Sequence, residues 1–178
     1  MAVKLVLSVI ATDRPGLVQV LAEAIAGNGG NWIDSSMARL AGEVAGIVLV
    51  SVPDQSVAAL EAALDELGDQ GIAVTTRRSD VTGAPTGRSA ILELTGSDQP
   101  GIVRDVSAAL AKHGASIDEL ETHLFPGSMS GEKMFSAKAR IILPEQHSAD
   151  RLRDELEAIA ADIMVEIDLK DEAGDTPS

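Results

Sequence analysis

One hexapeptide occurs twice in this chain, first as Asp13-Arg14-Pro15-Gly16-Leu17-Val18 and again as Asp98-Gln99-Pro100-Gly101-Ile102-Val103. The acid, the Pro-Gly pair and the two aliphatics stay in register, and each copy joins an apolar β-type run to a helix-type run. Solenoid repeats recur at roughly 20–50 residues, so a spacing of nearly half of 178 residues reads as duplication of a whole domain. Units of about 80 residues have marginal cores on their own, which favours packing of the copies together or a homo-oligomer. At a strand-to-helix junction, free N–H groups and the positive end of the helix dipole can hold a carboxylate. The repeat therefore constrains the architecture and marks a place for a ligand.

Both halves read in the order β-α-β-β-α-β. Val3 to Ile10 is β-branched and apolar, as in a buried strand. Thr12 and Asp13 are candidate N-caps, and Pro15 suits a first helical turn. Leu17, Val18, Leu21, Ala24 and Ile25 follow at helical spacing, and Gly27 and Gly29 can end that helix. Strands are expected over Asn31–Leu40 and Val44–Val52 around an Ala41-Gly42-Glu43 turn, then a helix over Ser56–Leu67 and a strand over Ile72–Arg77. The second half gives strands over Ser89–Thr95, Ser116–Leu124, Lys133–Leu143 and Met164–Leu169. Its helices open at Asp98-Gln99-Pro100-Gly101 and run over Ser148–Ala160, and Phe125–Gly131 forms a longer loop. The expected class is α+β: two ferredoxin-like domains, each a four-stranded antiparallel sheet with two helices on one face. Their expected bounds are residues 1–78 and 89–169, with a Ser/Thr/Gly/Pro-rich linker at 79–88 and an acidic disordered tail at 170–178. Trp32 and the apolar strands suggest that part of the opposite sheet face is covered by the other copy or another subunit.

Composition narrows the chemistry. A net charge of −14 opposes a phosphate backbone, and Trp32, Phe125 and Phe135 are the only aromatics available for base stacking. Direct nucleic-acid binding is disfavoured. Without cysteine there is no disulfide, thiol catalysis or thiolate metal site. No signal peptide or membrane-length apolar run is evident, so a soluble cytoplasmic protein is expected.

No Ser-His-Asp spacing, P-loop or dinucleotide fingerprint is present, and Gly27-Asn28-Gly29-Gly30 ends a helix where phosphate binding needs one to open. No catalytic residue, cofactor or metal is expected. Glu119, Glu121 and His123 alternate on one strand and share a face, which a solvated polar face explains. His113 ends a helix, where a cation complements the dipole. The best ligand candidates are the two strand-to-helix loops, although Asp-x-Pro-Gly also makes a good helix start with no ligand. Arg14 can pair with a carboxylate and Gln99 can only hydrogen-bond one, so the first loop is preferred for a charged ligand.

The first hexamer, followed by Gly29-Gly30-Asn31-Trp32-Ile33-Asp34-Ser35-Ser36, resembles the ACT domain. Two copies filling residues 3–169 resemble the glycine cleavage system repressor family of tandem ACT proteins. The second copy fits more loosely through its hexamer and Gly114-Ala115-Ser116-Ile117-Asp118-Glu119. The resemblance implies regulatory modules that bind amino acids or similar metabolites near the loop after the first strand. Carried over by position, the candidate ligand residues are Asp13, Arg14, Pro15, Gly16 and Leu17, and Asp98, Gln99, Pro100, Gly101 and Ile102. Asn31 and Ser116, at the starts of the second strands, are expected to lie near enough to join them. It also implies control of glycine cleavage genes through a protein partner, a transcription regulator, and the negative charge agrees with that indirect route. Gln99 and the Phe125–Gly131 loop depart from the pattern and set the two copies apart. The alternatives are a detached regulatory subunit of an amino-acid biosynthetic enzyme, or a structural scaffold without a ligand.

Overall fold

Period-two alternation in β1 (Ala2–Thr12) turns Leu5, Leu7, Val9 and Ala11 to one side, where they are buried. The computed structural model describes residues 1–80, 83, 86–129 and 131–172. Across from β1 lie α1 (Leu17–Gly27), which buries Leu17, Leu21 and Ile25 along one stripe, and α2 (Val57–Glu66), which buries Val57, Leu60 and Leu64. The hairpin of β2 (Asn31–Leu40) and β3 (Glu43–Pro53) turns at Ala41 and Gly42, whose φ of 50° and 85° are what a two-residue primed turn demands. β4 (Ile72–Arg78) completes an antiparallel sheet in the order β2-β3-β1-β4.

The second half repeats the plan. β5 (Arg88–Ser97), α3 (Ile102–Lys112), β6 (Ser116–Pro126), β7 (Lys133–Leu143), α4 (Ala149–Ile163) and β8 (Val165–Asp171) build a sheet in the order β6-β7-β5-β8. The chain divides into two units, Met1–Thr82 and Gly83–Ser178, each with its own apolar core. Among the described residues no polar or charged one is buried.

Several expectations need correction. Neither hexamer caps its helix with its acid. Gly16 and Gly101 are the N-caps, at φ 85° and 95°, and no side chain caps either helix. Thr12 instead ends β1 and donates to Glu43 Oε1, while Pro15 sits in the turn before the cap. The left-handed turn at glycine moves the cap three residues past the acid, from Asp13 to Gly16 and from Asp98 to Gly101. The helix expected over Ser56–Leu67 is α2 flanked by single 3-10 turns at Asp54–Ser56 and Leu67–Gln70. Met164 is not a strand residue but the left-handed C-cap of α4, at φ 51°. Ser148 caps the other end of that helix, accepting from Arg151 N. Phe125 belongs to β6 and not to the following loop, where Gly127 N donates to Glu132 O; Ser130 lies outside the described residues. The strands also reach into the expected linker at Arg88 and the expected tail at Lys170 and Asp171. Residues 81, 82, 84, 85 and 173–178 lie outside the described residues.

Trp32 is opposite Val50 and packs against the helix-side core, so it says nothing about the outer face. Register assigns that outer face directly. In the first sheet it carries mostly Ser, Thr and aliphatics; in the second it carries Glu119, Arg140 and Lys170 in one row and Glu121, Lys138, Glu93 and Asp168 in the next.

Candidate functional site

The first loop leaves β1 at Thr12 and enters α1 at Leu17. Asp13 N donates to Gly42 O at 2.9 Å, tying the loop to the β2–β3 turn, and Arg39 Nη1 donates to Asp13 Oδ2 at 2.9 Å. The candidate acid is thereby clamped by a β2 residue that no local motif marks. Arg14 is exposed and forms no ion pair among the described residues. Around Gly16 the space where a Cβ would stand is empty to 4 Å, and Val20 N is already paired to Gly16 O. The remaining first-turn N–H groups have no side-chain cap. Backbone donors, an open approach and a free guanidinium together suit a carboxylate.

The second loop is built alike and used differently. Asp98 N donates to Lys133 O at 2.9 Å, as Asp13 does to Gly42, but β6 offers Leu124 where β2 offers Arg39, and Asp98 has no ion pair among the described residues. Gln99 is half-buried and its Nε2 donates to Ile163 O at 2.9 Å, so it fastens the loop to the end of α4. Arg104 lies close enough over Gly101 that a Cβ there would meet its Nη2 at 2.8 Å. This loop therefore has a cation after all, supplied from one helical turn later. That guanidinium is committed, with Nε donating to Asp105 Oδ1 at 2.8 Å. The hydrogen bond holds the Asp105 carboxyl below the usual carboxylate range and pushes Arg104 up.

Asn31 and Ser116 do not join these loops. Asn31 is opposite Ser51, which is opposite Lys4, at the far end of β1 from Asp13. Eight residues of strand separate Lys4 from Thr12, about 26 Å at 3.3 Å per residue. Ser116 is opposite Ile142 and thus beside Ser89, equally far from Asp98. A helix running back along the sheet returns the chain to the opposite end.

In the second unit a cleft of about 30 Å³ opens between α3 and β6, lined by Ile102, Val103, Ile117, Leu120, Phe135 and their apolar neighbours. Its volume suits a methyl-sized group or a water. Leu120 alternates with Glu119 and Glu121 in the sequence, whereas Ile117 reaches the same side only through the β-bulge between Ile117 and Glu119. Glu119 accepts from Arg140 Nη2 at 2.6 Å, and among the described residues no three His, Asp or Glu side chains are grouped to hold a metal. His113 meets Glu155, with Nε2 and Oε2 2.8 Å apart.

The sequence profile of the ACT domain matches residues 4–76 and again residues 88–170. No curated protein sequence matches significantly. Among solved structures, a protein of unknown function from Galdieria sulphuraria is 33% identical, with a TM-score of 0.82 over 97% of this chain and 100% of that one. A second, described as a "putative glycine cleavage system transcriptional repressor", is 19% identical with a TM-score of 0.75 over 98% of this chain and 99% of that one, a likeness of fold. With the profile matching twice along most of its length, the chain belongs to the ACT-domain family, as a tandem pair.

Proposed function

We propose that this chain is a non-enzymatic cytoplasmic regulator that senses an amino acid such as glycine or serine and modulates a transcription regulator of amino-acid metabolism. Membership of the ACT family and the full-length fold likeness to a described repressor support the regulatory class. The observation that carries the ligand reading is the first loop, where uncapped first-turn N–H groups, the open space at Gly16 and the unpaired Arg14 belong to one short stretch of chain. An amino-acid carboxylate would take the N–H groups and the guanidinium together. The second loop, with Gln99 and Arg104 already engaged, is the weaker binder. Ligand binding alters the affinity for a partner only as far as it favours one arrangement over another.

A thermal-shift screen of the twenty amino acids tests this. A ligand at 100 times its Kd stabilises by about 2.7 kcal/mol. Glycine or serine is expected to act, and Arg14→Ala to diminish the effect more than Gln99→Ala. Equal losses would remove the asymmetry, and no shift with any amino acid would favour a scaffold without ligand. Pull-down from cells separates the remaining alternative: recovery of a biosynthetic enzyme in place of a transcription regulator identifies a detached regulatory subunit.

A further inference from the structure

The outer face of the first sheet has no charge in its two central rows. Register sets Ser36, Ile47, Ser8 and Thr75 in one row and Ala38, Ala45, Ile10 and Ala73 in the next. Ile10 and Ile47 are 52% and 55% exposed. The adjoining row runs Asp34, Leu49, Val6, Arg77, and neither Asp34 nor Arg77 forms an ion pair with another described residue. We propose that this face is a self-association surface whose occupant is a second copy of the chain. The copy docks about a two-fold axis that lies in the face along the midline between β3 and β1.

The sheet order makes the consequence of that axis explicit. It lays β3 over the partner's β1 and β2 over the partner's β4. Ile47 then faces the partner's Ser8, and Ile10 faces the partner's Ala45, so each large aliphatic meets a small residue. A groove of about 170 Å³ beside Ser8, Ile10, Ala73 and Thr75 receives the partner's Ile47. Leu49 meets the partner's Val6, and Ser36 the partner's Thr75. At both ends Arg77 meets the partner's Asp34. Packed sheets keep their strands within about 30° of each other, so the rows near the axis stay opposed.

Charge selects the occupant. A net −14 drives copies apart wherever acidic surfaces meet, and this face sets no like charges together. The same operation on the second sheet opposes unlike charges, Lys138 to the partner's Glu93 and Glu119 to the partner's Lys170, but it also sets Glu121 against the partner's Asp168 and draws already paired charges out of water. The first face meets its own image without a like-charge contact, and the second does not. The proposal goes beyond amino-acid sensing, requires neither ligand nor regulator, and fails or stands separately from that reading.

The test is the mass of the full chain by light scattering or sedimentation across a concentration series. The expected species is a dimer of the 18.4 kDa chain. Ile47→Glu should make it monomeric. Arg77→Asp should weaken it by on the order of tenfold or more, because a like-charge contact is met twice per dimer. The double variant Asp34→Arg/Arg77→Asp should restore association, and Lys138→Glu on the other sheet should leave it unchanged. All substituted positions are exposed, and a thermal melt checks folding; if Ile47→Glu does not fold, the charge swap decides alone. A wild-type chain that stays monomeric throughout, a dimer indifferent to Ile47→Glu, or a double variant no better than Arg77→Asp overturns the proposal.

Discussion

The two hexamers fold to the same backbone and hold their side chains differently. Around Gly16, the acid is clamped by Arg39 and the arginine is free; around Gly101, the acid is free, the glutamine is bonded to Ile163 O and Arg104 is bonded to Asp105. The outer sheet faces diverge in the same way, one without charge in its central rows and one laced with Glu93–Lys138, Glu93–Lys170 and Glu119–Arg140 pairs. Position in the fold is shared by the copies, whereas polar partners depend on residues far away in sequence. Conserved backbone geometry at a repeated motif therefore does not transfer a role from one copy to the other.

The largest expected effect tests whether the cores are as separate as their packing. Leu21 and Leu110 are 0% and 1% exposed and lie on the core faces of α1 and α3. Leu21→Ala should cost about 2–5 kcal/mol, and Leu110→Ala a similar amount. Hydrogen exchange should locate the first loss in residues 1–80 and the second in residues 86–172. Loss of protection across both spans from either substitution would show that the two cores unfold as one.

A smaller effect discriminates the two loops. Gln99→Ala removes a half-buried hydrogen bond and leaves Ile163 O without that donor, which should lower ligand-free stability by about 1 kcal/mol. Arg14→Ala breaks no hydrogen bond or ion pair among the described residues and should stay within about 0.5 kcal/mol of wild type. Denaturant midpoints read both. Equal destabilisation would mean that Arg14 is also structural, and would weaken its assignment to a ligand.

How much of this the sequence showed follows from the range of the forces involved. Alternation in β1 and helical spacing in α1 are local, and so were legible; the duplicated order followed from the hexamers. The caps were misread because Asp-x-Pro-Gly supplies a good capping acid, while the left-handed glycine moves the start of the helix past it. Arg39 and Arg104 were missed for different reasons. Arg39 reaches Asp13 only through hairpin register, and Arg104 folds back from the first turn of α3 in a way no spacing rule specifies. Asn31 was placed at the wrong end because nearness in motif order was taken for nearness in space, and an intervening helix reverses it.

Acid should weaken the second unit's helix pair. Glu155 is held below the usual carboxylate range, chiefly by the hydrogen bond from His113 and then by that from Lys112. Its folded value lies below its unfolded value. The stabilisation is therefore present above the ordinary carboxylate range and is lost as pH falls through the lowered folded value. Glu155→Gln should melt below wild type at neutral pH and converge with it in acid. In the first unit Asn28 stands where the second has His113 and bonds within its own helix, to Ala24 O, so no matching change is expected there. A gap between variant and wild type that persists in acid would assign the loss to packing instead of charge.

The smallest effect sharpens the comparison most. Arg39 and Asp13 are 69% and 36% exposed, and pairs so solvated contribute about 0–1 kcal/mol. Arg39→Ala should therefore barely move the unfolding midpoint. It should nevertheless free Asp13 and leave the first loop with the unclamped acid of the second. Backbone chemical shifts of residues 13–17 should change while those of 98–102 stay fixed. If the clamp sets the first loop for a carboxylate ligand, the ligand-induced thermal shift should shrink in the same variant without loss of ligand-free stability. Unchanged shifts at residues 13–17 would reduce the pair to a surface contact, and the difference between the loops would then rest on Arg14 and Gln99 alone.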